Sequence, residues 1–171
     1  MFTVNVTDLR RLVGREFFTE TDMRDVLDEL GTYAMSEVQQ NFEKLSRRGT
    51  GVDGTKWKEL EVETEIQKAK KGNWKPRDKK GQKKTPPKSQ IGVDTGLMRN
   101  AVVPGYSGGD KIYNVDARER RVTVGFGREY AKHFDKLRPL IPERTPEAWV
   151  QEMEGILGDF VEDMLRRRTD G

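Results

Sequence analysis

The chain has no cysteine and a single histidine, His133. The first absence excludes disulfides and thiolate metal sites. It fits an expectation of assembly inside a cell. The second leaves a metal centre without partners, because no other imidazole stands at helical spacing. No nucleophile motif accompanies His133 either. It reads as a histidine packed near Tyr130 and Phe134, or as a surface residue. Apolar residues are also scarce, at 33% hydrophobic against 36% charged. So little apolar surface supports one modest core and predicts that part of the chain is ordered by its neighbours. No run approaches the roughly 20 apolar residues of a membrane span, so no membrane partner is expected. The opening MFTVNVTDLRRL lacks the apolar stretch of a signal peptide. The length suits a single domain over residues 1–171.

What is present in excess is charge, and it is unevenly placed. The formal net charge is +3. Lys68, Lys70, Lys71, Lys75, Arg77, Lys79, Lys80, Lys83, Lys84 and Lys88 face only Asp78 in the same stretch, so this segment alone carries +9 and the rest −6. An acidic body bears one basic arm. The stretch KGNWKPRDKKGQKKTPPKSQ has no apolar pattern, and Pro86-Pro87 favours extended backbone. It predicts a long exposed loop over residues 68–90. Such an arm attracts phosphate, with Trp74 available to stack on a base. It equally suits an acidic protein surface, including another copy of this body, and a solvated loop is the plain alternative. Protein contact is favoured slightly, because the cations share one loop instead of spreading over a folded face.

Flanking patterns supply the body. FTVNV alternates apolar and polar residues over Phe2 to Val6 and predicts a strand. Thr19 with Asp22, or Thr21 alone, can cap a helix. Met23, Val26, Leu27, Leu30, Tyr33, Ala34, Val38, Phe42 and Leu45 then form one helical stripe, with Gly31 a weak spot in it. SRRG predicts its end. TKWKELEVETEIQKAKK predicts a second helix with Leu60, Thr64, Ile66 and Ala69 as a thin apolar face. Lys111 to Val115 and Arg121 to Phe126 predict a β-hairpin turning near Asp116 to Glu119. Thr145 as N-cap and Pro146 at the first helical position open a last helix. Its apolar face is Trp149, Val150, Met153, Ile156, Leu157, Phe160, Val161, Met164 and Leu165. The expected class is α+β: a small antiparallel sheet covered by a long N-terminal helix and a C-terminal helix, with a long basic loop.

Two short motifs invite chemistry. Asp94-Thr95-Gly96 is the tripeptide of aspartic proteases, which need paired carboxylates on rigid strand platforms. Leu97-Met98-Arg99 after it and two long amphipathic helices do not suit that platform. A turn capped by Asp94 or Thr95 and relieved by Gly96 accounts for it. GTGVDGTK lacks the Gly-Lys-Ser/Thr of a phosphate loop. No enzyme and no cofactor are expected.

Four phrases in order resemble a known family. They are NFEKL with GTKWKELEVETEIQKAKK, VDTGLMRNAV, VTVGFGREYAKHFD, and IPERTPEAWV, across about residues 35–165. Together they are similar to the tail-completion or virion-morphogenesis proteins of tailed bacteriophages, the Mu G-protein-like group. The chain departs from the group's phrases at Leu97, Asn100, Glu143 and the Thr145-Pro146-Glu147 run. The resemblance implies a virion structural protein at the head–tail junction, completing or capping the tail or joining it to the connector. It implies a homo-oligomer, a ring of six, meeting connector, neck and tail-tube proteins, with genomic DNA as a further contact of the arm. It places the chain in the host cytoplasm during assembly and in the virion afterwards. It makes Asp94, Thr95 and Gly96 a structural turn of the family. The runner-up reading is a DNA-binding protein using the basic arm.

Overall fold

The computed structural model describes residues 2–5, 18–72, 75–77, 82–88, 91, 111–126, 138–139, 141–142 and 144–169. In chain order these hold strand β1 (Phe2–Asn5), helices α1 (Glu20–Ser46) and α2 (Val62–Lys71), strands β2 (Lys111–Asp116) and β3 (Arg121–Phe126), and helix α3 (Glu147–Thr169). The class is α+β, as expected.

Helix α1 begins with a capping box. The Asp22 amide donates to the Thr19 hydroxyl at 3.1 Å, and the Thr19 amide donates to the Asp22 carboxylate at 2.8 Å. The two side chains satisfy each other's backbone donors at the end where the helix cannot. At the other end the chain turns left-handed at Arg48, with φ of 64°. The Gly49 amide then reaches back to the Lys44 carbonyl at 2.8 Å, and the Arg48 amide to Leu45 at 3.0 Å. This is a Schellman closure. A Cβ on Gly49 would stand 2.8 Å from the Lys44 carbonyl oxygen, so the closure needs glycine there for approach and not for φ.

The strands form one antiparallel sheet in the order β1-β3-β2. Phe2 and Tyr113 both pair with Val124. The hairpin turn uses Arg120 at φ of 52°, and the Glu119 amide donates to the Asp116 carboxylate at 3.0 Å. Val122 and Val124, two apart on β3, are buried on one face, as strand alternation requires. Leu27, Leu30, Ala34 and Val38 of α1 lie in the same core. Close approach is possible because Gly31 has no side chain. A Cβ there would stand 2.7 Å from both the Tyr113 hydroxyl and Val122 Cγ2. The residue that weakens the helical pattern is the one that lets the sheet in.

Helix α3 runs antiparallel to α1. Phe160 stacks on Phe18, ahead of α1, with ring centroids 6.0 Å apart. Nearer the start of α3, Glu152 lies beside Tyr33 together with Glu37. Burial first, then these two carboxylates, push the Tyr33 phenol above its ordinary value. Trp149 and Met153 enter the main core, and Ile156, Leu157, Phe160 and Val161 are half-buried against it. The expected apolar face is covered only in part, since Val150 and Leu165 remain 37% and 44% exposed.

A second small core closes the other end. Phe42, Leu45, Trp57 and Ile91 form it. Phe42 meets the Trp57 ring edge-on, with centroids 5.6 Å apart. The Trp57 indole N–H donates to the Pro139 carbonyl at 2.9 Å, which satisfies a buried donor. This corrects the predicted second helix. Residues 55–61 are not helical, and α2 starts only at Val62. Thr64 is exposed, and the buried residues of α2 are Glu65 and Ala69. Trp57 is drawn into the core across from α1, and an extended segment delivers it there more directly than a helical turn. The last helix also starts one place later than predicted, at Glu147. The Pro146 carbonyl accepts from the Trp149 and Val150 amides at 3.0 and 3.2 Å, so Pro146 is the flanking residue and not the first helical one.

Candidate functional site

The basic arm leaves and returns to the small core, and both ends are fastened. On the outgoing side, Arg48 is the clamp. Its guanidinium Nε donates to Glu59 at 2.7 Å, and Nη2 donates to Glu65. Glu65 is only 8% exposed, so this pair is taken largely out of water. Arg48 thus bridges two carboxylates with one donor to each, and the charge-assisted pairing offsets the desolvation of Glu65. The hydrogen bond from Arg48 holds the Glu59 carboxyl below its ordinary value, and the charges of Arg48 and Lys88 act in the same direction. Lys88, near the arm's return, therefore stands close to the outgoing clamp. On the return side, the Ile91 amide donates to the Ser46 carbonyl at 2.8 Å, and the Ile91 side chain is fully buried.

Between these fastenings all the described cations but Lys68 are exposed. Lys68, Lys70 and Lys71 occupy the last turn of α2, where positive charge meets the negative end of the helix dipole. Lys68 is half-buried, whereas Lys70 and Lys71 are exposed. Lys75, Arg77, Lys83, Lys84 and Lys88 are all exposed. The arm doubles back on itself: Arg77 and Lys83 form an isolated antiparallel bridge, and the Lys84 amide donates to the Pro76 carbonyl at 2.9 Å. The bridge sets Arg77 and Lys83 opposite each other. Trp74, Lys79 and Lys80 lie outside the described residues, as do Asp94, Thr95, Gly96 and His133.

The structure thus collects Lys75, Arg77, Lys83 and Lys84 into one doubled segment. It assigns Lys68, Lys70 and Lys71 to a helix end and leaves Lys88 on the return, where its charge acts on Glu59. Sequence reasoning missed the clamp itself. Arg48 read as a helix-end cation, and Glu59 and Glu65 carry no spacing that singles them out. Only their meeting across the loop gives them a role.

Elsewhere an open groove of about 480 Å³ lies between the start of α1 and the hairpin turn. Glu20, Arg24, Asp116 and Arg118 line it, and Arg118 already pairs with Glu20 at 3.7 Å. Among the described residues no group of three His, Cys, Asp or Glu side chains could hold a metal ion. Among them, too, no helix is long and apolar enough to cross a membrane.

Fold and site together define a small α+β domain carrying a clamped cationic arm. No family model matches the chain, and no curated protein or solved structure matches it.

Proposed function

We propose that this chain is a structural subunit of the head–tail junction of a tailed bacteriophage, acting in tail completion as an oligomer. The observation that carries the proposal is the order of the four family-like phrases. NFEKL falls on the last turns of α1, VTVGF on β3, and TPEAWV on the entry to α3. The phrase VDTGLMRNAV lies outside the described residues. The small double core and the exposed arm support the reading, because both suit a subunit whose free surfaces are completed by neighbours. The proposal gives the chain no chemical step.

The test is complementation of a phage from which the gene has been deleted. Particles made without the chain should carry unjoined heads and tails, and the intact chain should restore joining. Infectious particles of normal shape from the deletion would refute the proposal. A second reading, DNA binding through the arm, is favoured by the exposure of Lys75, Arg77, Lys83 and Lys84. Its mark is an affinity that falls with salt by a log–log slope of about 0.9 per phosphate neutralised.

A further inference from the structure

Two of the large apolar side chains that stay exposed among the described residues, Val150 and Leu165, lie on one helix, α3. With the half-buried Leu157 and Val161 between them, they recur at steps of seven, four and four residues. Such spacing follows one side of a helix. It is a shoulder beside the face that Trp149, Met153 and Met164 bury. Glu147 stands three residues before this strip and Arg168 three residues after it, and Glu154 interrupts it between Val150 and Leu157. All three charged residues are exposed. The strip is its own complement. Turning the helix end for end about the point between Leu157 and Gly158 brings Val150 onto Leu165, Glu154 onto Val161, and Glu147 onto Arg168. Apolar then meets apolar toward both ends, and an acid meets a base beyond each. The stem of Glu154 can lie along Val161 with its carboxylate at the rim. The same strip set parallel would oppose Glu147 to Glu147, Glu154 to Glu154 and Arg168 to Arg168, and like charges placed side by side are costly.

We propose that a second copy of this chain docks on α3, helix against helix and antiparallel, about a twofold axis between Leu157 and Gly158. The apolar strip supplies the association and the charges set its direction. Charge also weighs against an anionic occupant. Glu147, Glu152, Glu154, Asp159, Glu162 and Asp163 outnumber the three arginines of the helix, and Arg166 and Arg167 already pair with Glu162 and Asp163 at 3.5 and 2.5 Å. Nucleic acid or an anionic membrane surface is repelled by that excess. At 1.5 Å per residue the strip from Val150 to Leu165 is about 22 Å long. That is short for a stable interface, so the pairing is weak and depends on concentration. A contact that joins the same patch on both copies closes at two. It therefore gives the oligomer of the subunit reading one pairwise contact and leaves the other surfaces to other neighbours. It stands on the helix and not on the neck assignment.

Sedimentation velocity of the full chain tests the contact at about 1 M salt, where the Debye length is about 3 Å and the basic arm is screened. The intact chain should pass from monomer to dimer as concentration rises, because screening weakens charge contacts and not apolar ones. Val150→Glu and Leu165→Lys should each raise the dissociation constant about tenfold or more, since each sets a charge against an apolar side chain at both ends of the pair. An equimolar mixture of the two should associate more tightly than either alone. One end of the mixed pair then joins opposite charges, and the other keeps Val150 on Leu165. Both sites are exposed, and circular dichroism checks that each variant folds. Should either fail, Val150→Ser and Leu165→Ser are the milder replacements and should weaken association in the same way. An intact chain that stays monomeric at about 0.5 mM, single variants that associate as the parent does, or a charged mixture no tighter than its parts overturns the proposal. Association that is present at low salt and lost at about 1 M points to the arm and overturns it as well. Dimers formed through α3 by a chain absent from phage particles would uphold this contact while removing the neck assignment.

Discussion

Replacing Gly31 by alanine sets two effects of known size against each other. Inside an exposed helix the change is favourable by about 1 kcal/mol, because glycine loses more backbone freedom on folding than alanine. At Gly31 the new methyl would instead stand 2.7 Å from the Tyr113 hydroxyl and from Val122 Cγ2, and 3.1 Å from Tyr113 Cε2. Val122 is fully buried and has nowhere to go. Tyr113 is held by hydrogen bonds to the Asp28 carbonyl at 2.9 Å and the Asp28 carboxylate at 2.7 Å. Moving the ring would loosen the single O–H donor that these two acceptors share, with a net value of about 1 kcal/mol. Overpacking of this kind costs about 1–3 kcal/mol, and the disturbed bond adds to it. The clash therefore outweighs the propensity gain, and Gly31→Ala is expected to destabilise by about 1–3 kcal/mol. A chain of this length loses about 2–4 °C in Tm per kcal/mol. Gly158→Ala is the matched control, since a Cβ there meets nothing within 4 Å. It should stabilise by about 0.5–1 kcal/mol. Urea denaturation followed by circular dichroism reads both. A Gly31→Ala chain as stable as the parent would refute the close approach of α1 to the sheet.

Two further outcomes follow from the cores. Phe42→Ala removes a fully buried ring from the small cluster and should cost about 3–5 kcal/mol; an effect below about 1 kcal/mol by urea denaturation would mean that this end is not packed as described. The Tyr113 phenol is pushed up to about 12, by burial first and then by its bond to Asp28. The unfolded chain loses this proton near pH 10 while the folded chain keeps it. Stability from Tyr113 is therefore full below pH 10 and lost as pH rises through about 12. Tyr113→Phe should flatten that alkaline loss, and an unchanged pH profile of the urea midpoint would contradict the assignment.

Local chemistry was enough to settle the elements whose cause is local. The α1 cap is Thr19 and Asp22 acting across one turn. The stripe from Met23 to Leu45 follows helical spacing, and the hairpin has β-branched residues on both arms around a turn. Each depends on neighbours within a few positions, so the order of residues carries the information. The arm's composition belongs to the same level, because a segment of lysine, glycine and proline has no apolar surface with which to fold inward. Tertiary structure decided what residues distant in sequence do together. Trp57 is drawn out of a predicted helix because Phe42 and Pro139 offer its ring and its N–H a better place. Gly31 is a slot for Tyr113 and Val122 instead of a defect, which shows only when the hairpin docks. Arg48 becomes the clamp of the arm once Glu59 and Glu65 approach it. Packing and desolvation act between surfaces that the linear pattern does not place side by side, so their effect is fixed only when the chain has closed.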